Sequence, residues 1–241
     1  MRYVNNYSHK DSFVYEGKDL EAMSFAQNYH NWIYENIATE LGTKIAEIGS
    51  GVGNFTEFLL RNDHARIDAY EHCTKMHLNN KFYKHPRVNC INSNFELVSK
   101  NYHDQYDSVV LINVLEHIQQ DSDAIKKAHK IISRGGKLII FVPALQFLYS
   151  NFDRSIGHYR RYQKSELTKL VQNASFKIMS CEYFDSIGII PWFVFMKVMR
   201  RGLSVRNTFT YDTFVVPWLK ILEKIISPPL GKNLLLTACK V

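Results

Sequence analysis

Cysteines are few in this sequence, and none stand at metal-binding or redox spacing. The 241 residues contain four of them, with no CxxC motif and no His/Cys cluster at zinc spacing: Cys73, Cys90, Cys181 and Cys239. Neither a disulfide framework nor a zinc knuckle is therefore indicated, and we expect no bound metal. The pattern favours a reducing, cytoplasmic compartment.

Long apolar runs are also missing. Residues 1–17 lack the uninterrupted apolar core of a signal peptide, so export is not supported. The stretch "SIGIIPWFVFMKVMRR" is broken by Pro191 and Lys197 and falls short of the ~20 apolar residues that a membrane span requires. We expect no transmembrane helix, while contact with the inner face of a membrane stays open.

Composition predicts an ordinary globular chain with a basic surface. Hydrophobic residues make up 46% and charged residues 22%, and no repeat or low-complexity linker divides the sequence, so we expect one domain over residues 1–241. Lys and Arg outnumber Asp and Glu by 30 to 23, a formal charge of +7. This charge suits anionic substrates, nucleic acid or an anionic membrane, and does not choose among them.

Strand-like and helix-like segments alternate along most of the chain. After a predicted helix over residues 19–42, strands are predicted at residues 43–49, 65–71, 87–92, 107–113, 135–143, 176–184 and 231–240. Helices are predicted between them at residues 54–62, 121–133 and 165–174, the last capped at Ser165. Continuous apolar strands such as "SVVLIN" indicate burial on both faces. The prediction is an α/β fold with a Rossmann-like doubly wound sheet, mostly parallel with a C-terminal antiparallel strand.

Residues 186–231 depart from the alternation and predict a helical insertion before the last strand. Two apolar, aromatic-rich stretches lie there, where a plain sheet needs only a turn. One interpretation is a helical pair that packs over the sheet or against a second subunit. The other is a lid over an apolar substrate, or an interfacial anchor in which lipid headgroups face Arg200, Arg201 and Arg206.

The stretch "AEIGSGVGNFTEFLL" joins a predicted strand to a predicted helix through three glycines. Glycines there let a ligand approach the backbone, and the helix N-terminus adds N–H donors with a partial positive charge. Gly49, Gly51 and Gly53 form GxGxG, whereas the dinucleotide fingerprint is GxGxxG. Asn54 stands where that fingerprint has its last glycine.

Two acids near the turn favour a different cofactor. Glu71 ends the second predicted strand, where a carboxylate can accept both ribose hydroxyls of an adenosine. Glu47 lies beside the glycines, where it would repel a pyrophosphate and attract an ammonium or a sulfonium. S-adenosylmethionine carries both of those cations.

With these residues the chain resembles a class I S-adenosylmethionine-dependent methyltransferase. The motifs "AEIGSGVGNFT", "AYEHC", "INSNFE", "YDSVVLINVLEHI" and "ISRGGKLIIFVP" match in order over residues 45–143. The resemblance implies that the methionine end of the cofactor contacts Glu47, Gly49, Ser50, Gly51 and Gly53. It places the ribose at Glu71 and His72 and the adenine at Asn94 and Phe95, although many members have Asp where Asn94 stands. It also implies that the substrate side of the cofactor is lined by Asn113 and Val114.

Two segments carry the candidate acceptor chemistry. In "NVLEHI", His117 is the natural general base, with Glu116 beside it, although both are equally suited to orienting the loop. In "FDRSIGHYRRYQKSEL", an acceptor could be bound by His158, Arg160, Arg161 and Tyr162. The alternative is a solvated basic loop in which Tyr162 anchors the next helix. This second segment resembles methyltransferases that are encoded with, or fused to, sugar transferases of surface-glycan synthesis.

The expected function is methyl transfer to an oxygen, less readily a nitrogen or carbon, of a small or glycan-like acceptor that is lipid-linked or phosphorylated. The alternatives are a nucleic-acid methyltransferase, a non-catalytic protein that binds the cofactor or a partner, and a nicotinamide-dependent oxidoreductase. The first is weakened because "NVLEH" replaces the Asn/Asp-Pro-Pro-aromatic stretch of amino-group methylases. The last is disfavoured by GxGxG and Glu47.

Overall fold

The computed structural model describes residues 24–93, 103–200, 202 and 204–241. Within these ranges one sheet contains seven strands: β1 Lys44–Ile48, β2 Arg66–Glu71, β3 Val88–Asn92, β4 Tyr106–Ile112, β5 Ile132–Pro143, β6 Phe176–Phe184 and β7 Asn233–Lys240. Their order across the sheet is β3-β2-β1-β4-β5-β7-β6. The first five strands pair in parallel, and β7 runs antiparallel between β5 and β6. The predicted fold class is confirmed.

The central strands are buried on both faces. Val110 and Ile139 face one apolar cluster, and Leu111 and Ile140 face the other, all with no exposed surface. Side chains alternate between the faces of a strand, so a strand covered on both sides must be apolar at consecutive positions. The uninterrupted runs of β4 and β5 follow from this burial.

Helices cover both faces of the sheet. In chain order they are α1 Gln27–Ile37, α2 Thr56–Leu59, α3 Thr74–Leu78, α4 Asp121–Ile131, α5 Asn151–Ser155 and α6 Lys164–Asn173. Short 3-10 turns occur at Ala38–Glu40, Leu115–His117 and Gln146–Leu148. Buried residues of α4 and α6 belong to one apolar cluster, and those of α1 and α2 belong to the other. This arrangement leaves the carboxyl ends of the parallel strands free to form a site.

Several details differ from the sequence predictions. The helix predicted over residues 121–133 ends at Ile131, because Ile132 and Ser133 already belong to β5. The predicted cap at Ser165 is wrong, because α6 begins at Lys164 and its N-cap is Gln163. The backbone N–H of Gln163 donates a hydrogen bond to the Glu166 carboxylate at 3.2 Å, which closes the first turn of the helix. The short helices α3 and α5 were not predicted, since neither is long enough to show a helical period.

The described residues between β6 and β7 are mainly helical, and their role as an inserted lid stays a prediction. The helical segments are α7 Ile189–Trp192, a π-helical continuation Phe193–Val198, α8 Val205–Phe214 and α9 Val216–Ile225. The second apolar stretch contains a break at Val215, because Pro217 lacks an N–H and suits the first turn of a new helix. No helix in the described ranges has the length and apolar content needed to cross a membrane.

Asp212 connects this insertion to the start of α1. Its side chain is 3% exposed, and its two carboxylate oxygens accept hydrogen bonds from the amides of Asn28 at 2.9 Å and Tyr29 at 2.8 Å. The first amides of a helix have no partner inside the helix. The carboxylate therefore satisfies donors of α1 from a helix far away in sequence.

We expect Asp212→Ala to lower the free energy of unfolding by roughly 2–4 kcal/mol, because it leaves two buried amides without an acceptor. Urea unfolding followed by circular dichroism measures the change. Thr210→Ala, at an exposed position of the same helix, is the control and should change stability by less than about 1 kcal/mol. Equal unfolding midpoints for the two variants would contradict the role given to Asp212.

Candidate active site

The turn after β1 depends on its glycines. Gly49, Gly51 and Gly53 have positive φ angles of 72°, 54° and 90°, a region that other residues adopt at a cost. A Cβ atom on Gly49 would lie 2.5 Å from Cγ2 of Val114, which is a steric clash. Only glycine therefore lets the turn pack this closely against the loop after β4.

Glu71 fixes the turn to the end of β2. Its carboxylate accepts hydrogen bonds from the amide of Gly51 at 2.9 Å and from the amide of Cys73 at 2.7 Å. The neighbouring ring of His72 is 75% exposed, and its Nδ1 atom lies 3.3 Å from the Glu71 carboxylate. The predicted ribose acid is therefore held in one orientation at the wall of a cavity.

Glu47 lies beneath the turn, at a position that is 3% exposed. Burial raises the pKa of its carboxyl to about 8, with an opposing contribution from the hydroxyl of Thr56 and a smaller raising one from Glu71. The Thr56 Oγ1 atom donates to the Glu47 carboxylate at 2.6 Å. At neutral pH this side chain therefore carries a proton until a cation comes near it.

Two cavities of about 460 and 500 Å³ form a cleft above the carboxyl ends of β1, β2 and β4. Both are lined by Gly49, His72, Val114 and His117. The first is also lined by Gly51, Glu71 and Asn113, and the second by Tyr70 and Ser93. The predicted cofactor residues Asn94 and Phe95 lie outside the described residues.

Two observations test whether this cleft fits S-adenosylmethionine. Gly49 and Gly51 line the cavity of about 460 Å³, so a ligand in it can approach backbone that carries no side chain. The hydroxyl of Ser50, 5% exposed, has no hydrogen-bond partner in the described part of the chain. Buried polar atoms are seldom left unpaired in proteins. The turn therefore has both the space and an unsatisfied polar atom for the polar end of the cofactor.

Glu116 and His117 occupy the 3-10 turn that follows β4. Glu116 has no exposed surface, and neither of its carboxylate oxygens accepts a hydrogen bond from another described residue. Burial raises the pKa of Glu116 to about 7, against the lowering effect of His158 and Arg161. Burial, together with smaller contributions from the nearby His158 and His72, lowers the pKa of His117 to about 3. Near neutral pH the imidazole of His117 is therefore uncharged, while Glu116 is poised to gain or lose a proton.

Asp153 organises the loop that follows β5. Its carboxylate is fully buried and accepts hydrogen bonds from the Ser150 hydroxyl at 2.7 Å and from Arg161 Nε at 2.9 Å. His158 Nδ1 lies 3.2 Å from the same carboxylate. Burial alone would raise the pKa of Asp153, but the bonds from His158 and Arg161 lower it to about 2. The stable negative charge holds His158 with its Nε2 atom 3.8 Å from Glu116.

A third cavity, of about 100 Å³, adjoins the cleft. The wall nearest the cleft, called the near wall, consists of Asn113, Glu116, His117 and His158. Arg161 also borders this cavity. Its far wall includes residues that the sequence analysis did not select: Tyr29, Phe141, Trp192, Lys232 and Asn233. Aromatic residues in α1 and in the insertion were visible in the sequence, but nothing indicated that these segments meet at the site.

Arg160 and Tyr162, predicted to bind substrate, contact α4 instead of a cavity wall. Arg160 donates to the Asp121 carboxylate at 2.5 Å and to the Gln119 carbonyl at 2.7 Å. The Tyr162 hydroxyl donates to the same carboxylate at 3.0 Å. Both side chains fasten the loop after β5 to the start of α4, and their substrate contacts remain predictions.

Glu116, His117 and His158 also form the one group of potential metal ligands found among the described residues. One ligand atom from each lies within 4.8 Å of the others. Imidazole and carboxylate groups are suitable for several divalent transition metals. The same three groups can equally act as proton carriers.

A Rossmann-like sheet with a glycine turn, a strand-end acid and an adjoining polar cavity defines a methyltransferase fold that uses S-adenosylmethionine. Residues 25–180 match the family model described as a methyltransferase domain, and the chain belongs to that family. It is a methyltransferase, and S-adenosylmethionine is its cofactor. No curated protein sequence matches the chain significantly.

Solved structures share the fold at low sequence identity. A methyltransferase from Archaeoglobus fulgidus, described as SAM-dependent, has a TM-score of 0.63 and 14% identity, covering 92% of this chain and 99% of its own. The Burkholderia thailandensis 1,6-didemethyltoxoflavin-N1-methyltransferase, solved with that compound and S-adenosylhomocysteine, has a TM-score of 0.60 and 15% identity over 94% and 83%. A chain from the complex between the Haloferax volcanii Trm112 methyltransferase activator and a methyltransferase has a TM-score of 0.66 and 12% identity over 93% and 94%.

The raised pKa of Glu47 predicts opposite effects of Glu47→Gln on stability and on cofactor affinity. A carboxyl whose folded-state pKa exceeds its unfolded value costs stability as the pH rises from about 4.5 to about 8. Relative to the unmodified protein, Glu47→Gln should therefore gain stability over this range, by at least about 1 kcal/mol at the upper end. If Glu47 pairs with the ammonium of the cofactor, the same variant should bind S-adenosylhomocysteine more weakly.

Thermal unfolding at several pH values and calorimetric titration measure the two effects. The calorimetric enthalpy in buffers of different ionisation heat should also reveal release of a proton when the cofactor binds, since the ammonium favours the ionised carboxylate. Unchanged affinity in Glu47→Gln would remove Glu47 from the cofactor contacts.

Proposed function

We propose that this methyltransferase transfers its methyl group to a hydroxyl oxygen of a glycan-like acceptor that is lipid-linked or phosphorylated. The reaction would take place in the cytoplasm, at the inner face of a membrane. The observation that carries the proposal is the small cavity beside the cofactor cleft, where the carboxyl of Glu116 has a pKa near 7. A hydroxyl acceptor must lose its proton during transfer, and a group that titrates near the working pH is suited to take it.

The bound cofactor supplies a methyl group on a sulfonium that is already a good leaving group. The remaining task of the protein is to align the acceptor oxygen with that methyl group and to exclude water. Asn113, His117 and His158 line both the cleft and the small cavity, so an acceptor held in the small cavity would meet the cofactor at these residues. Asn113 has a φ angle of 53°, and its amide donates to the Phe141 carbonyl at 2.8 Å, which fixes this junction.

We assign different roles to the two predicted catalytic residues. Glu116 would accept the proton, because its carboxyl titrates near pH 7 and borders the small cavity. His117 would act as a neutral hydrogen-bonding group that orients the acceptor hydroxyl, because a pKa of about 3 makes it a weak base. His158 would stabilise the ionised form of Glu116 from 3.8 Å away.

The far wall of the small cavity supports a sugar as the acceptor. Tyr29 and Trp192 offer aromatic surface for a sugar ring. The Lys232 ammonium lies 5.2 Å from the centre of the Tyr29 ring and pairs with the buried Asp185 carboxylate at 2.8 Å, so it offers an N–H donor at the same wall. The resemblance of the "HYRRY" loop and the insertion to methyltransferases of surface-glycan synthesis agrees with this class of acceptor.

A binding and turnover experiment tests the proposal. We expect S-adenosylmethionine and S-adenosylhomocysteine, but not NAD, to bind in calorimetric titrations, and Glu71→Ala to lose that binding. Turnover should then appear with nucleotide sugars or lipid-linked glycans and be absent with transfer RNA or duplex DNA, measured as S-adenosylhomocysteine formed. Turnover only with a nucleic acid, or cofactor binding without turnover on any acceptor class, would contradict the acceptor assignment.

The assignment of the proton acceptor has its own test. Turnover of the unmodified enzyme should rise with pH around a midpoint near 7, because the ionised form of Glu116 is the active one. Glu116→Gln should reduce turnover by 100-fold or more, on the order of the full effect of a general base, and abolish this midpoint. His117→Ala should also reduce turnover but keep the midpoint, with cofactor affinity unchanged in both variants. If a chelator such as EDTA abolished turnover, Glu116, His117 and His158 would be metal ligands instead of proton carriers.

A further inference from the structure

The outer face of α9 is apolar and exposed. Trp218 and Ile225 are 75% and 76% exposed, and Ile221 and Leu222 lie between them on the same face. Residues at spacings of three, four and seven form one stripe along a helix. The opposite face of α9 already packs into the protein through Val216 and Leu219, which are buried. The helix therefore presents a second apolar stripe that no described residue covers.

The neighbouring helices expose further large apolar side chains. α8 packs against α9, and a cavity of about 190 Å³ separates α8 from the α7 segment. The exposed apolar residues of these elements and their ends are Ile190, Phe193, Val194, Phe195, Val198, Met199, Val205, Phe209, Phe214, Ile226 and Leu230. Single exposed apolar residues are normal in proteins, but a concentration of them in one region marks an interaction surface.

Basic residues predominate in this region. Residues 186–232 contain seven Lys and Arg but only two acids, Asp212 and Glu223, so they supply most of the net charge of +7. Asp212 is buried against α1. Glu223 is half-buried, and its carboxylate accepts hydrogen bonds from the amides of Asp185 and Ser186. Both acids of the described segment therefore accept hydrogen bonds from other parts of the protein, and the exposed charges are those of the bases.

Four basic side chains of this region are exposed to solvent. Lys197, Arg200, Arg206 and Lys224 are all exposed, and they flank the apolar residues of the π-helical segment, α8 and α9. A second copy of this chain would bring basic residues against basic residues, without exposed acids on this segment to pair with them. A surface of anionic lipid offers both missing partners, phosphate groups for the bases and acyl chains for the aromatic and aliphatic side chains.

We propose that α7, the π-helical segment, α8 and α9 form a docking surface for an anionic lipid bilayer. Trp218, Ile221 and Ile225 enter the boundary between headgroups and acyl chains, and the exposed bases contact lipid phosphates. The region lies on the membrane without crossing it, since its helices are short.

The cavity between the α7 segment and α8 connects the proposed docking surface with the small cavity beside Glu116. It is lined mostly by apolar and aromatic residues, and its exposed wall residues Phe195 and Asn207 belong to the proposed docking surface and its flank. It shares Tyr29, Trp192 and Lys232 with the small cavity beside Glu116. A lipid-linked acceptor could therefore keep its hydrocarbon portion near the bilayer while its headgroup reaches the methyl group, a step that rests on the proposed function.

Vesicle sedimentation with the full chain tests the docking surface. We expect the protein to pellet with phosphatidylcholine vesicles that contain about 30% phosphatidylglycerol, and to do so far less with phosphatidylcholine alone or at high salt. The combined variant Trp218→Ser, Ile221→Ser and Ile225→Ser should not pellet. Replacing Arg200, Arg206 and Lys224 with Ala should weaken binding by on the order of 100-fold, at roughly fivefold for each base.

Matched controls separate docking from general loss of apolar surface and from misfolding. Leu78→Ser with Met179→Ser removes two exposed apolar residues elsewhere and should pellet like the unmodified protein. Trp218 is far more exposed than Trp32, so tryptophan emission should shift to the blue on anionic vesicles. Trp218→Phe should still pellet but lose this shift.

Three results would overturn the docking surface: no pelleting with any vesicle, equal pelleting with neutral and anionic vesicles, or a dimer in solution that the triple serine variant dissociates. Calorimetric binding of S-adenosylhomocysteine to the same samples keeps the two proposals apart. Cofactor binding without pelleting refutes the docking surface alone. Pelleting without turnover on any glycan acceptor refutes the proposed function alone.

Discussion

The buried carboxylate of Asp153 fixes the acceptor side of this enzyme. It joins the start of α5, the side chain of Arg161 and the ring of His158 in one hydrogen-bonded group. Burying a charge is costly unless it is paired, and here a cation and several donors surround it. Because His158 is held from one ring nitrogen, its other nitrogen faces Glu116. The geometry of the small cavity follows from that orientation.

Burial then separates the proton affinities of two adjacent residues. Glu116 and His117 follow one another in the chain, yet the same lack of water raises the pKa of the acid and lowers that of the imidazole. Desolvation disfavours whichever form is charged, so it acts on a carboxyl and an imidazole in opposite directions. At neutral pH, a carboxyl of intermediate charge thus lies next to an uncharged ring, in a cavity that adjoins the cofactor cleft.

The sheet can be predicted well from the sequence, because each strand and turn is indicated by residues that are neighbours in the chain. The apolar runs of β4 and β5 reflect burial on both faces, and the glycines after β1 reflect backbone angles that other residues avoid. The contacts of Arg160 were not predictable, because its partner Asp121 lies 39 positions earlier in the chain and nothing local relates the two. For the same reason, Tyr29 and Trp192 were not recognised as cavity walls. Local patterns define elements, whereas the site is made where distant elements meet.

The position of β7 bears on how this chain is made. β7 follows every other described strand in sequence, yet it lies between β5 and β6 in the sheet. Within the described part of the sheet β6 pairs only with β7, so it must wait for residues 233–240 before it is hydrogen-bonded to another strand. During synthesis on a ribosome, the parallel half of the sheet can assemble first, while β6 lacks its partner strand until β7 emerges. β6 and the exposed apolar helices between it and β7 are therefore a segment that nascent-chain chaperones can bind while the sheet is incomplete.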